Sequence, residues 1–370
     1  MKRKVCHIST AHNENDSRIL LKECQSLSKN GYEVYYIVTS DNKKVLYETN
    51  IVPLDKRIGR LYRIFRKRKE AYNKALQTDA EIYHFHDPEL IPIGKKLKKA
   101  KKKVIYDVHE DVPKQILNKT YLGSIYARKI IAKVFDIYEK KSVKKFDAII
   151  GAIDEITDKF NHNRAITVKN YAAKYILDEI EAIEYDKEDD KLIAIYVGAI
   201  SEIRGIKELI KSINILGGKV ELWVLGSWES KKLFEECKNI KGYEYCKYFG
   251  YLKLKEVYKY IKAADIGLCI LHPVENYKES IPIKVMEYMT AGLPVICSDF
   301  EYWKNIFGDI GEYVNPYNYE QIAVAIEKYI DNKEILKSIG DENRKKIDEK
   351  LNWSIEEEKL LRLYDDLYKI

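Results

Sequence analysis

The chain contains no apolar run that approaches the roughly 20 residues a transmembrane helix requires. Its first residues lead straight into a strand-like stretch, without the separate apolar segment and cleavage site of a secretion signal. Charged residues make up 33% of the sequence, which favours a water-soluble body. We therefore expect a cytoplasmic protein. Peripheral attachment to the inner face of the membrane is compatible with this expectation.

Cysteine is scarce, and its spacing argues against disulfides and against a metal site. The six cysteines include no C-x-x-C pair, and several lie inside apolar runs such as 267–270 and 295–297. This pattern is typical of reduced, buried thiols in a cytosol. The sequence therefore predicts no metal ligands.

The order of apolar runs predicts the fold class. Strand-like runs alternate with helical patterns, which indicates parallel sheets with helices on both faces. The pattern restarts near residue 191, after the acidic stretch 178–190. We predict an α/β protein with two facing doubly wound, Rossmann-like domains and a cleft between them. The predicted strands are 5–9, 33–38, 81–85, 103–107, 148–150, 192–197, 220–225, 266–271 and 294–297.

These patterns also suggest where the domains begin and end. A chain of 370 residues is too long for one ordinary domain and suits two. We expect an N-terminal domain over 1–170 and a linker over 171–190. A second domain should follow over 191–350. Residues 351–370 are predicted to form a helix that straps the two domains.

Charge is distributed unevenly along the chain. Residues 1–170 carry 36 lysines and arginines against 21 acidic residues, whereas residues 171–370 carry 29 against 37. The excess concentrates in 57–69 and 95–103, and Leu61, Ile64 and Phe65 form an apolar strip beside the first stretch. Such a surface either is simply solvated or meets an anionic membrane or acceptor. No recognised nucleic-acid motif accompanies the charge, so nucleic acid is not an expected partner.

The strongest chemical signal lies at 279–296, where Glu279 and Glu287 stand eight positions apart around a predicted helix start. Pro282 fits the first helical position, where its missing N–H costs nothing. The free backbone N–H groups near Lys284 would then form an anion site with a cation beside it. Carboxylates accept hydrogen bonds from hydroxyls, so the pair suits a sugar and a ribose around a diphosphate. An ordinary surface helix with two glutamates is the alternative.

This segment resembles the large fourth family of retaining glycosyltransferases, whose fold consists of two facing Rossmann-like domains. The family carries two glutamates with seven residues between them, followed by a Gly-x-Pro-Val strand, here residues 292–295. The segment 196–209 resembles the family's phosphate loop, with Arg204 in place of a lysine and Ala199 in place of an arginine. The usual Gly-Phe-Gly after the first glutamate is replaced by Ser-Ile-Pro at 280–282.

The resemblance implies a donor site in the second half of the chain. Its residues would be Gly198, Arg204, Gly226, Tyr251, Glu279, Ser280, Ile281, Lys284 and Glu287. Arg204 and Lys284 would stabilise the diphosphate, Glu279 would orient sugar hydroxyls, and Glu287 would hold the ribose. No cofactor is implied, because the nucleotide sugar is a substrate, and no divalent ion is needed for donor binding.

The first half of the chain offers candidates for the acceptor side. Asp16 and Arg18 resemble the family's Asp-x-Arg-Ile helix start. His86, His109 and Glu110 follow two predicted strands, and such strand ends line the ligand crevice of doubly wound sheets. The predicted catalytic set is Glu279, His109, Arg204 and Lys284.

The activity implied is that of a hexosyltransferase. It would move a sugar, with retention, from a nucleotide sugar to a glycan or lipid-linked acceptor in cell-surface polysaccharide or glycolipid synthesis. Two alternatives remain open at this stage. One is a nucleotide-sugar epimerase, and the other is a non-catalytic module that binds nucleotide sugars or glycans.

Overall fold

The computed structural model describes residues 2–57, 59–186 and 191–369, and it divides into two compact units. Unit 1 contains the residues up to Asn170 and those from Ser354 onward, and unit 2 is Tyr171–Trp353. Each unit is an α/β domain built around one mainly parallel sheet, which confirms the predicted fold class of two Rossmann-like domains. Residues 187–190 of the predicted linker lie outside the described residues.

The sheet of unit 1 has eight strands in the order β3-β4-β2-β1-β5-β6-β7-β8, and only β3 and β4 pair in antiparallel fashion. Val5 of the central strand pairs with Val34 on one side and Ile82 on the other. The strands are β1 Lys4–Asn13, β2 Glu33–Thr39, β3 Lys44–Leu46, β4 Thr49–Leu54, β5 Ile82–Phe85, β6 Lys103–Val108, β7 Ala148–Gly151 and β8 Ala165–Thr167.

Helices cover this sheet and bury an apolar core that includes Ile8, Phe85 and Tyr106. The helices are α1 Gln25–Lys29, α2 Arg60–Tyr62, α3 Arg68–Thr78, α4 Ile91–Lys99, α5 Val112–Asn118, α6 Ile125–Val143 and α7 Asp154–Asp158. Two π-helical segments, Ile19–Cys24 and Arg63–Lys67, precede α1 and α3, and the 3₁₀ turns are Pro88–Leu90 and Thr120–Leu122.

The sheet of unit 2 has six parallel strands in the order β11-β10-β9-β12-β13-β14. The strands are β9 Leu192–Val197, β10 Val220–Leu225, β11 Cys246–Gly250, β12 Ile266–Cys269, β13 Val295–Ser298 and β14 Gly311–Val314. The helices are α8 Lys174–Asp178, α9 Ile206–Leu216, α10 Lys231–Lys238, α11 Leu254–Ala263, α12 Glu275–Lys278, α13 Ile283–Ala291, α14 Glu301–Phe307, α15 Tyr319–Glu327 and α16 Lys333–Lys350. The 3₁₀ turns are Glu202–Arg204, Gly217–Lys219 and Tyr243–Tyr245.

The last helix, α17, runs over Trp353–Lys369 and packs in unit 1 from residue 354 onward. Its Leu360, Tyr364 and Leu367 side chains are buried, and the Tyr368 hydroxyl donates to the Lys4 carbonyl over 3.0 Å. No helix within the described parts of the chain combines the length and apolar character needed to cross a membrane.

The sequence located the central strands and missed β3, β4, β8, β11 and β14. Several of these are short, and β3, β8, β11 and β14 are partly exposed and lie at or beside a sheet edge, so they carry no continuous apolar run.

At the predicted anion site, the helix begins one residue later than the sequence predicts. Pro282 is the extended residue before α13, with φ −76° and ψ 109°, rather than its first helical residue. The helix begins at Ile283, so the backbone N–H groups at its start are those of Ile283 and the residues after it.

We predict that Gly340→Ala destabilises unit 2, although alanine is the better helix former. Gly340 lies inside α16, where alanine would ordinarily add about 1 kcal/mol of stability. Its added Cβ would lie 2.1 Å from the Gly292 carbonyl oxygen, so the two segments must separate. Overpacking of this kind costs about 1–3 kcal/mol, and we expect a net loss of up to about 2 kcal/mol in denaturant unfolding.

The matched control for this prediction is Ser338→Ala on the exposed face of the same helix. It should stabilise the protein by a few tenths of a kcal/mol, since only helix propensity changes. Equal stabilisation of both variants would contradict the close approach of α16 to Gly292.

Candidate functional site

Two glycines bring the ends of adjacent strands of unit 2 into close contact. Gly198 follows β9 with φ +125°, and Gly226 follows β10 with φ +148°. Gly198 N donates to the Leu225 carbonyl over 2.9 Å, and Gly226 N donates to the Gly250 carbonyl over 2.8 Å. A Cβ on Gly226 would lie 1.8 Å from the Gly198 carbonyl oxygen, so no other residue fits there without moving the backbone. Both predicted positions therefore have a steric reason to be glycine.

Two cations converge over the first of these glycines. A Cβ on Gly198 would lie 3.4 Å from Arg204 Nη1 and 3.4 Å from Lys284 Nζ. Arg204 Nε donates to the Tyr277 hydroxyl over 3.2 Å, and Lys284 Nζ lies 4.4 Å from the centre of the Tyr196 ring. The Lys284 ammonium is buried and has no hydrogen-bond partner among the described residues.

The electrostatics of this cation pair favour an anionic ligand. Burial lowers the pKa of Lys284 to about 8, and the Arg204 guanidinium acts in the same direction, whereas the Cys269 thiol and Glu287 oppose them. An arginine stays charged in this pH range, so the neutral lysine is the form that relieves the repulsion. A phosphate group between the two cations would restore the charged lysine and supply its missing hydrogen bond.

The two predicted glutamates differ in their surroundings. Glu279 is exposed and directly follows α12, whereas Glu287 lies half-buried on α13 and accepts a hydrogen bond from the Tyr258 hydroxyl over 2.9 Å. Glu287 follows Lys284 by one turn and favours its charged form. The intervening loop is fixed by Trp303, whose indole N–H donates to the Ser280 carbonyl over 2.8 Å.

The remaining donor candidates are partly or largely exposed. Ser280 and Ile281 are half-buried, and Tyr251 is 76% exposed immediately after Gly250. The structure thus brings Gly198, Arg204, Gly226 and Lys284 together most tightly.

Three tyrosines that the sequence analysis did not single out contact the predicted residues, namely Tyr196, Tyr277 and Tyr258. Tyr277 stands two positions before Glu279, but one tyrosine among 30 carries little signal by itself.

Unit 1 contains a cavity of about 1160 Å³ at the carboxyl ends of its central strands. Four of the five acceptor-side candidates line it, namely Asp16, His86, His109 and Glu110. Arg18 is instead 3% exposed and forms a two-point ion pair with Asp107, with Nε to Oδ2 at 3.1 Å and Nη2 to Oδ1 at 3.0 Å. Its guanidinium is committed to this carboxylate, so Arg18 supports the cavity from behind rather than lining it.

Asp107 holds two histidines of the cavity wall. One of its oxygens, Oδ2, lies 2.8 Å from His109 Nε2 and 3.1 Å from His86 Nδ1. Burial alone would raise the pKa of Asp107, but Arg18 and His109 hold that pKa well below its usual range. Burial lowers the pKa of His86 to about 4, so this ring is neutral at physiological pH. The ring of His109 is thus oriented by an ionised carboxylate and can form hydrogen bonds with a hydroxyl in the cavity.

Asp16 fixes the loop at the mouth of the same cavity. Its Oδ1 accepts from the backbone N–H groups of Arg18 and Ile19, each over 2.9 Å, and its Oδ2 lies 2.8 Å from His12 Nδ1. Burial would lower the pKa of His12, but Asp16 outweighs burial and raises it. The Asp-x-Arg-Ile start therefore shapes the loop through its aspartate and anchors Asp107 through its arginine.

The rest of the cavity wall combines cations with apolar side chains. The cations come mainly from the predicted basic stretch, and they are Lys56, Arg57, Arg63, Lys67, Arg68 and Lys119. The apolar members include Ile64, Ile116, Tyr121, Leu122, Ile131 and Phe135. Next to this wall, α6 exposes an apolar face with Tyr126, Ile130, Val134 and Ile137 at helical spacing.

Titratable groups in unit 1 also form clusters that the sequence did not indicate. His7, Glu23, His84 and His86 bring one ligand atom each within 4.8 Å of one another, and so do His86, Asp107 and His109. Their positions are scattered over three strands and one helical segment, so no short spacing motif indicates them. The sequence prediction of no metal site rested on the absence of such motifs.

Known proteins match this chain over different parts of its length. Residues 178–346 match the family model described as glycosyl transferases group 1. The chain is 25% identical over 258 residues to CapM of Staphylococcus aureus, a capsular polysaccharide biosynthesis glycosyltransferase, covering 64% of this chain and 67% of that protein. It is 28% identical over 141 residues to TuaC of Bacillus subtilis, whose name assigns it to teichuronic acid biosynthesis. That second match covers 38% of this chain and only a third, 33%, of TuaC.

Solved structures show the same fold at low identity. Sucrose-phosphate synthase from Thermosynechococcus elongatus matches over 100% of both chains with a TM-score of 0.77 and 15% identity. HepE from Anabaena, solved in complex with UDP and glucose, matches over 98% of this chain and 100% of its own with a TM-score of 0.70 and 9% identity. The family match covers most of unit 2, where the cation pair and both glutamates lie, so this part of the chain is similar to the group 1 glycosyltransferases.

Proposed function

We propose that the protein transfers a hexose from a nucleoside diphosphate sugar to a lipid-linked glycan, with retention at the anomeric carbon. The product would serve the synthesis of a cell-surface polysaccharide or glycolipid, on the cytoplasmic face of the membrane. The observation that carries the proposal is the buried Lys284 ammonium, which has no hydrogen-bond partner among the described residues and stands beside Arg204. Such a pair needs an anion, and a donor diphosphate supplies it.

The donor would bind to unit 2 through its diphosphate. Arg204 can grip phosphate oxygens at two points, Lys284 adds a second charge, and the N–H groups at the start of α13 add neutral donors. Glu287 would hold the ribose and Glu279 would orient hydroxyls of the sugar. UDP is the first nucleotide to test, because the HepE structure was solved with it.

The same cations would lower the barrier to transfer. In the proposed step, the bond from the anomeric carbon to the diphosphate oxygen breaks, and the acceptor oxygen bonds on the same face. The acceptor proton passes to the departing diphosphate oxygen. Negative charge grows on the diphosphate as the bond breaks, so fixed positive groups stabilise the transition state more than the ground state.

The acceptor would bind to unit 1, in the cavity that holds His109. This wall presents cations and apolar side chains together, which suits a molecule with a phosphate and a lipid. The exposed apolar face of α6 begins beside it, so a membrane-bound acceptor could enter without leaving the lipid surface. The names of CapM and TuaC, which refer to capsular polysaccharide and teichuronic acid, support a cell-surface product.

The proposed transfer is tested with a panel of nucleotide sugars, scored for release of nucleoside diphosphate with and without a bacterial lipid extract. We expect one donor to be consumed only when the lipid extract is present, with radiolabelled sugar appearing in the lipid phase. Conversion of the donor to another nucleotide sugar without diphosphate release would instead identify an epimerase. Tight UDP binding without turnover of any donor would identify a binding module.

In calorimetry, Arg204→Ala should weaken UDP binding by about 10-fold to 150-fold, because each charge-assisted hydrogen bond contributes about 1.5–3 kcal/mol. The control is Arg362→Ala, which removes an exposed arginine of unit 1. Calorimetry should show no change in UDP affinity for the control. A folded Arg204→Ala variant with wild-type affinity would eliminate the diphosphate assignment.

The lowered pKa of Lys284 predicts that UDP binding weakens at alkaline pH. The ammonium is protonated below about pH 8 and neutral above it, whereas a bound diphosphate favours the protonated form. The dissociation constant measured by calorimetry should therefore rise by up to about tenfold per pH unit above pH 8. Lys284→Arg keeps its charge, so its affinity should stay level from pH 7.5 to 9.5. Parallel pH profiles for the two proteins would count against a role for Lys284.

Membrane attachment predicts binding to anionic vesicles through α6. Each cation near an anionic surface adds about 1 kcal/mol, and each apolar side chain that leaves water adds about 1.5–3 kcal/mol. The double variant Ile130→Ser/Val134→Ser changes side chains that are 65% and 62% exposed, and we expect at least a tenfold loss of vesicle binding in flotation. Wild-type binding should require anionic lipid and decrease as salt rises.

The control for vesicle binding is Val324→Ser, at a position in unit 2 that is 57% exposed. It should float with anionic vesicles as the wild type does. If the wild-type protein stays in the aqueous fraction at low salt, the membrane role is wrong, while the transferase assignment is unaffected.

A further inference from the structure

The interior of unit 1 encloses three imidazoles and a carboxylate that the proposed transfer does not use as a group. His7 lies on β1, His84 lies on β5, His86 directly follows β5, and Glu23 lies on the π-helical segment Ile19–Cys24. Their exposed fractions are 0%, 0%, 2% and 0%. A protein core accepts such groups only when hydrogen bonds or a metal ion compensate for the lost water.

The atoms that face one another have the separations of metal ligands. His7 Nδ1 lies 3.0 Å from His86 Nε2, and Glu23 Oε2 lies 3.8 Å from the first and 3.9 Å from the second. All four residues offer ligand atoms within 4.8 Å of one another. Bonds of 2.0–2.1 Å in a tetrahedral site put neighbouring ligand atoms about 3.4 Å apart, so small shifts would suffice to close the site.

The opposite ring nitrogens are held by other side chains. His7 Nε2 and His84 Nδ1 lie 3.2 Å and 2.8 Å from the Tyr364 hydroxyl, and His86 Nδ1 lies 3.1 Å from Asp107 Oδ2. Histidines that bind metals nearly always have their second nitrogen fixed in this way, which sets the tautomer and the ring orientation. The nitrogens of His7 and His86 that face Glu23 share a hydrogen bond over 3.0 Å, which an ion bound to both nitrogens would replace.

Part of the cluster lacks hydrogen-bond partners. Glu23 Oε2 and His84 Nε2 have no hydrogen-bond partner among the described residues. Glu23 Oε1 lies 3.0 Å from Arg18 Nε, which supplies charge to one oxygen and leaves Oε2 facing the imidazoles. A buried carboxylate oxygen and a buried ring nitrogen without partners, within reach of two further imidazoles, are what a cation would satisfy.

The second cluster, His86, Asp107 and His109, is explained without a metal ion. Its contacts of 2.8 Å and 3.1 Å to Asp107 Oδ2 are ordinary hydrogen-bond lengths, and no buried side-chain nitrogen or oxygen of this cluster lacks a partner among the described residues. His86 belongs to both clusters through different nitrogens. An ion on His86 Nε2 would therefore fix the ring whose Nδ1 faces Asp107, the residue that orients His109.

We propose that His7, Glu23, His84 and His86 bind one divalent transition-metal ion, with Zn²⁺ as the best match. Three imidazoles and one carboxylate suit zinc better than magnesium or calcium, which prefer all-oxygen sites. Four protein ligands complete a tetrahedral shell and leave no open position, so the ion is structural rather than catalytic. It would tie β1, β5 and the π-helical segment together, independently of the donor site in unit 2.

The test is the metal content of the full chain, purified without a polyhistidine tag and passed through metal-free buffer. Elemental analysis should find about one zinc per chain. Protein from cells grown with Co²⁺ should show the visible absorption of tetrahedral cobalt. Less than a tenth of an equivalent of any transition metal, with no rise in melting temperature when Zn²⁺ is added, would overturn the proposal.

Variants assign the ligands. Glu23→Gln and His84→Ala should each reduce the zinc content to less than a fifth of an equivalent and abolish the rise in melting temperature with Zn²⁺. His162→Ala is the control, because His162 also lies in unit 1 but bonds the Phe146 carbonyl outside the cluster. A folded His84→Ala variant with full zinc content would refute the assignment. If both ligand variants fail to fold, the cobalt spectrum and zinc content of the wild-type chain decide.

Discussion

The buried ion pair between Arg18 and Asp107 is the interaction on which the functional part of unit 1 depends. It joins the start of the first helical region to the end of β6, and Arg18 Nη1 also donates to the Val168 carbonyl over 2.8 Å. Removing one partner of such a pair typically costs about 3–5 kcal/mol, because the other charge stays buried alone. Asp107 can therefore remain ionised in the interior and hold His86 and His109 at the cavity wall.

The main electrostatic feature of unit 2 is a pair of cations, Arg204 and Lys284. Its sheet brings two glycine-containing loops so close together that Gly226 nearly touches the Gly198 backbone, and this leaves room for Arg204 and Lys284 above them. No carboxylate is hydrogen-bonded to the Lys284 ammonium among the described residues, so its charge is held in place without being neutralised. A site arranged in this way is preorganised to bind an anion. Its fixed positive charge would therefore stabilise a departing diphosphate.

Part of this arrangement could be predicted before any coordinates. Local apolar runs located nine strands, because a strand buried on both faces carries a continuous apolar stretch. The glycines and the cations of the donor half were predicted from the resemblance to the glycosyltransferase family, whose motifs lie in short stretches of sequence. Arg18 was assigned to the acceptor side, since a sequence does not show whether a charged side chain faces a cavity or a buried partner.

The sequence by itself determined the fold class and the glycosyltransferase resemblance, because the patterns that indicate them are each expressed over short stretches of chain. It also predicted the residues of the donor half. Only the tertiary structure decided that Arg18 pairs with Asp107, that α6 exposes an apolar face beside the cavity, and that three histidines meet Glu23. These features join residues from separate strands and helices. Their contacts depend on sheet order and helix packing, which no local pattern of residues specifies.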